Sequence, residues 1–163
     1  MPSNNKTKKT PMETAYAYLA SRMRTVREVE THLKDKGFSE EEITETVNDL
    51  IGLRYLDDYQ YALRYYEYNR EKKRGTLRAA RELAEKGIDA ETINIAQEDF
   101  IFAEKIDEFE DALHIAEHEL SLKNKAASDE KTAAYIARKL ENKGFRRDII
   151  FKVLNRLRAG ADD

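Results

Sequence analysis

The hexapeptide LKDKGF at residues 33–38 returns as LAEKGI at 83–88 and again as LENKGF at 140–145. Each copy reads Leu-x-x-Lys-Gly plus a large apolar residue, and each follows a run of good helix formers. Glycine enters the left-handed backbone region without a Cβ clash, so Gly37, Gly87 and Gly144 are expected to end helices. Phe38, Ile88 and Phe145 then stand just ahead of a second helix, with Ile43, Ile93 and Ile150 five residues further on, the spacing of a hydrophobic staple. Ser39 with Glu42 forms a capping box in the first copy and Asp89 can cap the second, whereas Arg146 is a poor cap in the third. The hexapeptide is therefore read as the joint between two helices.

The repetition extends beyond the joint. Leu33, Leu83 and Leu140 precede their glycine by four positions, and Leu50, Phe100 and Leu157 follow it by thirteen. Successive joints lie 50 and 57 residues apart, which leaves room for one more helix between them. The fold class expected is all-α: three tandem three-helix modules forming an elongated body, which tandem stacking allows to curve. Helices are expected near 12–21, 25–36, 40–52, 58–73, 75–86, 90–101, 106–121, 129–143 and 147–158. The corresponding division is a flexible basic tail at 1–11 and modules at 12–54, 55–102 and 103–163. Thr25 with Glu28 makes a further capping box, and Val26, Val29 and Leu33 behind it mark one buried face.

Composition agrees with long solvated helices: 37% of residues are charged, 40% hydrophobic, and only two are proline. The absence of cysteine excludes disulfides, thiolate metal sites and a cysteine nucleophile. The polar, basic start MPSNNKTKKTP is read as neither a signal peptide nor an anchor, and no apolar run exceeds AYAYLA at 15–20. A soluble, cytoplasmic protein without membrane contact is expected. The net charge of −3 hides an alternation. Segments 1–36, 59–88 and 131–163 are basic, while 37–58 and 89–130 are strongly acidic.

Several patterns suggest catalysis and are outweighed. HIAEH at 114–118 fits an inverted zincin motif, yet Phe109, Ala112, Leu113, Ala116 and Leu120 make the segment an ordinary amphipathic helix, and few residues remain for a third ligand and a cleft. His32 stands alone. Asp57 and Asp58 are better explained as helix-entrance residues than as a catalytic pair. The stretch KRGTLR lacks the composition of a phosphate loop. Tyr55, Tyr59, Tyr61, Tyr65, Tyr66 and Tyr68 crowd one segment beside KKR at 72–74, where exposed rings could stack bases. The spacing of Tyr61, Tyr65 and Tyr68 instead favours core packing. No metal, cofactor or small-molecule substrate is expected.

The segment YLDDYQYALRYYEYNREKKRGTLRAARELAEKGID at 55–89 resembles the signature region of the RecX family of bacterial recombinase regulators. Tyr55, Asp57, Asp58, Ala62, Tyr65, Arg70, Gly75, Arg78, Leu83, Lys86, Gly87 and Ile88 carry that resemblance. In the preceding module it is carried by Leu19, Arg22, Arg24, Thr25, Glu28, Leu33, Lys36, Gly37 and Phe38. Lys143, Gly144 and Phe145 match more loosely, and residues 103–130 match by length and helicity alone. The resemblance implies a non-enzymatic protein of DNA repair, recombination and the SOS response. Its partner would be the RecA recombinase filament on single-stranded DNA, whose growth and activity it would restrain.

Basic residues recur at comparable module positions: Arg22, Arg24 and Arg27; Arg70, Lys72, Lys73, Arg74, Arg78 and Arg81; Arg138, Lys139, Arg146 and Arg147. Repetition makes them the candidates for a shared face toward the filament or toward single-stranded DNA. The alternatives are a direct nucleic-acid binder and a helical-repeat adaptor for another protein.

Overall fold

The computed structural model describes residues 8–123 and 129–160. The described residues form nine α-helices without a strand: α1 (Pro11–Leu19), α2 (Val26–Asp35), α3 (Glu40–Gly52), α4 (Asp58–Glu71), α5 (Thr76–Glu85), α6 (Ala90–Ala103), α7 (Glu108–Lys123), α8 (Glu130–Lys143) and α9 (Arg147–Ala159). All nine correspond to expected helices. The first seven residues of the expected tail lie outside the described residues, and Thr10 with Glu13 forms a reciprocal capping box that starts α1. The boxes Thr25/Glu28 and Ser39/Glu42 are also reciprocal, and Asp89 accepts from the Thr92 N–H. Arg146 makes no side-chain cap.

Gly37, Gly87 and Gly144 have φ of 86°, 87° and 87°. At each of them two hydrogen bonds close the helix in the same way. Phe38, Ile88 and Phe145 donate their N–H to the carbonyls of Leu33, Leu83 and Leu140, and each glycine donates to the carbonyl three residues back. This is the Schellman arrangement, which satisfies orphan carbonyls and turns the chain into the next helix. Three other helices end similarly without glycine, on Arg54, Lys73 and Lys105 with φ of 61°, 54° and 49°. A side chain in that region costs on the order of 1–2 kcal/mol.

Extensive helix contacts fall within the triplets α1–α3, α4–α6 and α7–α9. Each triplet surrounds its own apolar cluster. Leu33, Leu83 and Leu140 are at most 1% exposed at the centres of these clusters, where truncation to alanine typically costs about 2–5 kcal/mol. Leu50 and Phe100 are buried as the repeat predicts, but Leu157 is half-buried and Val153 fills the centre of α9 instead. The tyrosine expectation needs a sharper correction. Tyr68 is exposed and Tyr65 half-buried, while the buried stripe of α4 runs through Ala62, Tyr66 and Asn69, flanked by Tyr61. Tyr66 stacks on Phe100, so burial pushes its phenol above the ordinary range.

Triplets meet through helix ends and turns. Asp58, the first residue of α4, accepts from the Val26 N–H at the start of α2 at 2.9 Å. Fifty residues on, Glu108 at the start of α7 accepts from the Thr76 N–H at the start of α5, also at 2.9 Å. An acidic residue of each following triplet thus caps the second helix of the triplet before it, where the helix dipole favours negative charge. The joints lock in from the other side. The Lys86 carbonyl accepts from Thr25 Oγ1, and the Lys143 carbonyl accepts from the Gly75 N–H, both at 2.9 Å. A Cβ on Gly75 would run into the Gly144 carbonyl; one on Gly87 would meet the Arg27 side chain, and one on Gly144 would meet Arg78. Around Gly37 the space is open: among the described residues nothing comes within 4 Å of a Cβ there.

These observations separate backbone strain from docking. Gly37→Val should cost about 1–2 kcal/mol through φ alone, and Gly87→Val should cost more because Arg27 must also move. Gly75 has an ordinary φ of −72°, so Gly75→Ala should lose about 1–3 kcal/mol purely through the seam clash. Chemical denaturation of the three variants checks the order, and an unchanged Gly75→Ala would contradict the close approach.

Asp58 supplies an independent check. Burial raises its pKa against the pull of the Val26 N–H, helped by the charges of Asp89, Asp57 and Glu30. The folded state therefore takes up its proton at higher pH than the unfolded chain does. This linkage term is complete below the unfolded value and is lost as pH rises through the folded one. Asp58→Asn, which keeps the acceptor, should stay within about 0.5 kcal/mol of wild type at pH 7, and wild type should gain on it as pH falls towards 4. Asp58→Ala, which orphans the Val26 N–H, should lose about 1–3 kcal/mol.

Candidate functional site

The basic residues singled out in the sequence gather at the two seams between triplets and along α8 and α9. At the first seam most are engaged internally. Arg22 reaches Glu28 at 3.7 Å, and the Arg24 guanidinium lies 3.9 Å from the centre of the Tyr18 ring, which also stacks on His32 at 3.9 Å. Two groups that close to one ring centre must occupy its opposite faces, so Tyr18 offers no free face for a base. His32 is half-buried, and its pKa is lowered by burial and by the charges of Lys36 and Arg24. Arg27 lays its stem across Gly87. Glu28 also approaches Lys86 of the next triplet at 3.9 Å.

The second seam is richer in cations. Arg78 is again structural: it packs on Gly144, donates to the Asn142 carbonyl at 3.3 Å and pairs with Glu82 at 2.9 Å. Burial alone would raise the Glu82 pKa, but hydrogen bonds from Tyr65 and Arg78, with the charges of Arg78 and Arg74, carry it down. The Tyr65 phenol, half-buried and donating to Glu82, has its pKa pushed up to about 12, by burial first and then by that bond. Arg70 pairs with Asp111 across the seam at 3.4 Å. Lys72 sits over the Tyr68 ring at 5.6 Å. Among the described residues, Lys73, Arg74 and Arg81 make no ion pair within 4 Å.

In the third triplet Lys139 pairs with Glu119 at 2.6 Å, Arg146 with Asp148 at 3.1 Å and Arg147 with Glu141 at 3.5 Å. Arg138 is exposed and has no such partner among the described residues. One residue the sequence reasoning missed belongs with the second seam. Lys143, a member of the third hexapeptide, is half-buried, and its pKa is lowered by burial first and then by Lys139, Lys73 and Arg74. The signal was available, because Lys precedes the glycine in all three joints. Lys86 likewise sits above the Tyr65 ring at 5.7 Å.

The seams therefore bring Arg70, Lys73, Arg74, Lys139 and Lys143 together, while Arg27 and Arg78 serve the joints and Arg146 and Arg147 stand apart on α9. Asp57 caps its own helix through the Gln60 N–H and Asp58 caps its neighbour's, so the two carboxylates are committed to backbone groups. His114 and His118 lie exposed on α7, and no cluster of three metal-ligating side chains occurs among the described residues. No described helix is long and apolar enough to cross a membrane.

Residues 12–50 match the family domain described as RecX, first three-helix domain, and residues 57–96 match RecX, second three-helix domain. A protein of Bacillus licheniformis named Regulatory protein RecX is 44% identical over 57 residues, which is 35% of this chain and 22% of that protein's length. The crystal structure of RecX from Lactobacillus salivarius superposes with a TM-score of 0.77 at 28% identity, covering 90% of this chain and 94% of that one. A second structure, described as regulatory protein RecX, shares the fold with a TM-score of 0.71 at 22% identity, covering 89% and 73%. With a Lys-Gly joint inside each of the two matched segments, and with the same helical architecture over nine-tenths of its length, this chain belongs to the RecX family.

Proposed function

We propose that this chain is a non-enzymatic regulator that binds the RecA filament on single-stranded DNA and restrains its growth and its recombinase and ATPase activity. Membership of a family of regulatory proteins supports this reading. The observation that carries it is the division of labour among the cations. Some hold the seams, while among the described residues Lys73, Arg74, Arg81 and Arg138 make no ion pair, and Lys73, Arg81 and Arg138 are exposed to an acidic partner. The Asp57 and Asp58 carboxylates are committed to helix caps and Tyr66 to a core, and electrostatic docking is the activity that the cations outside ion pairs support. In the same reading the modules run 12–54, 55–102 and 103–163, the chain acts in the cytoplasm, and it needs no cofactor.

The test is DNA-dependent ATP hydrolysis by the cognate RecA with increasing amounts of this protein. Hydrolysis should fall with dose, and no change at excess protein would remove the proposal. An adaptor for an unrelated protein would also leave the rate untouched. Arg81→Ala with Arg138→Ala should weaken inhibition by about twofold to fivefold per charge, more at low salt than at high, without shifting the melting temperature. Arg78 is unsuited to this comparison, because its removal would disturb the seam it packs.

A further inference from the structure

The seam between the second and third triplets encloses a pocket of about 200 Å³. Arg70, Lys73 and Arg74 form one wall, and Asp111 and His114 of α7 form the other, over an apolar floor at Phe145. Asp111 is engaged by Arg70, so the cations left over are Lys73 and Arg74. Lys143 lies close enough that Lys73 and Arg74 repel its charge. Lys73 and Arg74 from the second triplet and Lys143 from the third are three like charges outside ion pairs, and the electrostatic energy of their site falls when a compact dianion or a phosphodiester enters.

Two further features belong to the same place. The pocket continues inward as a crevice of about 10 Å³ that shares the walls of Arg70, Arg74, Asp111 and Phe145. There the side-chain oxygens of Asn69 and Thr76, residues 1% and 7% exposed, have no hydrogen-bond partner. Its volume is that of a single water, which these oxygens could hold beneath a polar ligand. The rim is also fixed by the docking itself. Lys73 is held in the left-handed region with its N–H on the Arg70 carbonyl, Arg74 donates its N–H to the Asn69 carbonyl, and Gly75 donates to Lys143. The positions of the three cations therefore depend on the same backbone contacts that join the triplets.

We propose that this seam pocket is a phosphate-binding site, formed only when the second and third triplets are docked, and that an occupying phosphate clamps them together. The phosphate could be that of a free ligand or of a polynucleotide backbone. Only the second source rests on the proposed function, and no RecA enters the test, so the two readings stand or fall apart.

The full chain is titrated at low salt with pyrophosphate alone and, separately, with an oligothymidylate lacking terminal phosphates, while melting temperature and the His114 ring resonances are followed. Binding should raise the melting temperature and shift His114 but not the remote His32. Binding of pyrophosphate alone identifies a free phosphate ligand; binding of the oligonucleotide identifies a polynucleotide. Lys73→Asn with Arg74→Gln should weaken whichever ligand binds at least tenfold. Asparagine tolerates the left-handed backbone at position 73, so the fold is kept. For the oligonucleotide the logarithmic salt slope should fall by about 1.4, at about 0.7 per contact on a single strand. Lys152→Gln on α9 should leave binding unchanged. Gly75→Ala, which opens the seam without removing a charge, should weaken binding too. Binding of neither ligand, or equal binding by the folded double variant, would overturn the proposal.

Discussion

The close approach of a Lys-Gly joint to the first turn of the preceding triplet's second helix is the contact on which the arrangement of this molecule depends. A bundle of three short helices buries only a modest core, and triplets that meet through helix ends gain little apolar burial from one another. What fixes their register is polar and steric. A carboxylate from the following triplet caps an orphan N–H, a joint carbonyl accepts a second hydrogen bond, and a glycine admits the backbone. Each hydrogen bond is worth only about 0.5–1.5 kcal/mol net, but leaving one unmade at a buried helix end costs more, and that asymmetry selects one docking geometry.

The two seams solve the same problem with different residues. At the first, Thr25 stands at the helix start and its hydroxyl spans the gap to the Lys86 carbonyl. At the second, Gly75 takes that position, the side chain vanishes, and the backbone N–H itself reaches Lys143. The second seam is accordingly tighter, which is why the Gly144 backbone abuts Gly75 and Arg78. That tighter approach also sets Lys73 and Arg74 beside Lys143. Strong cationic convergence at one seam and internal neutralisation at the other, where Glu28 faces Arg22 and Lys86, follow from local substitutions on a shared plan.

For a regulatory protein this division matters. Cations that hold a seam cannot be released to a partner without loosening the body, whereas those outside ion pairs are available at little structural cost. A binding surface that straddles a seam makes partner affinity sensitive to how firmly two triplets are docked, and the reverse holds by linkage. Phe38 is half-buried whereas its counterparts Ile88 and Phe145 are 4% and 3% exposed, and the docked preceding triplet accounts for that difference at the second and third joints.

The sequence by itself determined the nine described helices, the three left-handed glycine joints, the capping boxes at Thr25 and Ser39 and the family resemblance, because these are written in local spacing and in the conformational freedom of glycine, whereas the box of Thr10 with Glu13 fell in the expected tail. It did not reveal the helix ends at Arg54, Lys73 and Lys105, where no glycine marks a left-handed residue. It misjudged the tyrosine stripe, since three- and four-residue spacing names a face without saying which of two neighbouring faces meets the core. Only the tertiary structure decided that Asp58 and Glu108 cap another triplet's helix, that Arg27 and Arg78 are joint residues, and that Lys143 joins Lys73 and Arg74. Those relations connect residues 32 to 70 positions apart through close approach in space, and local periodicity carries no information about which surfaces will touch.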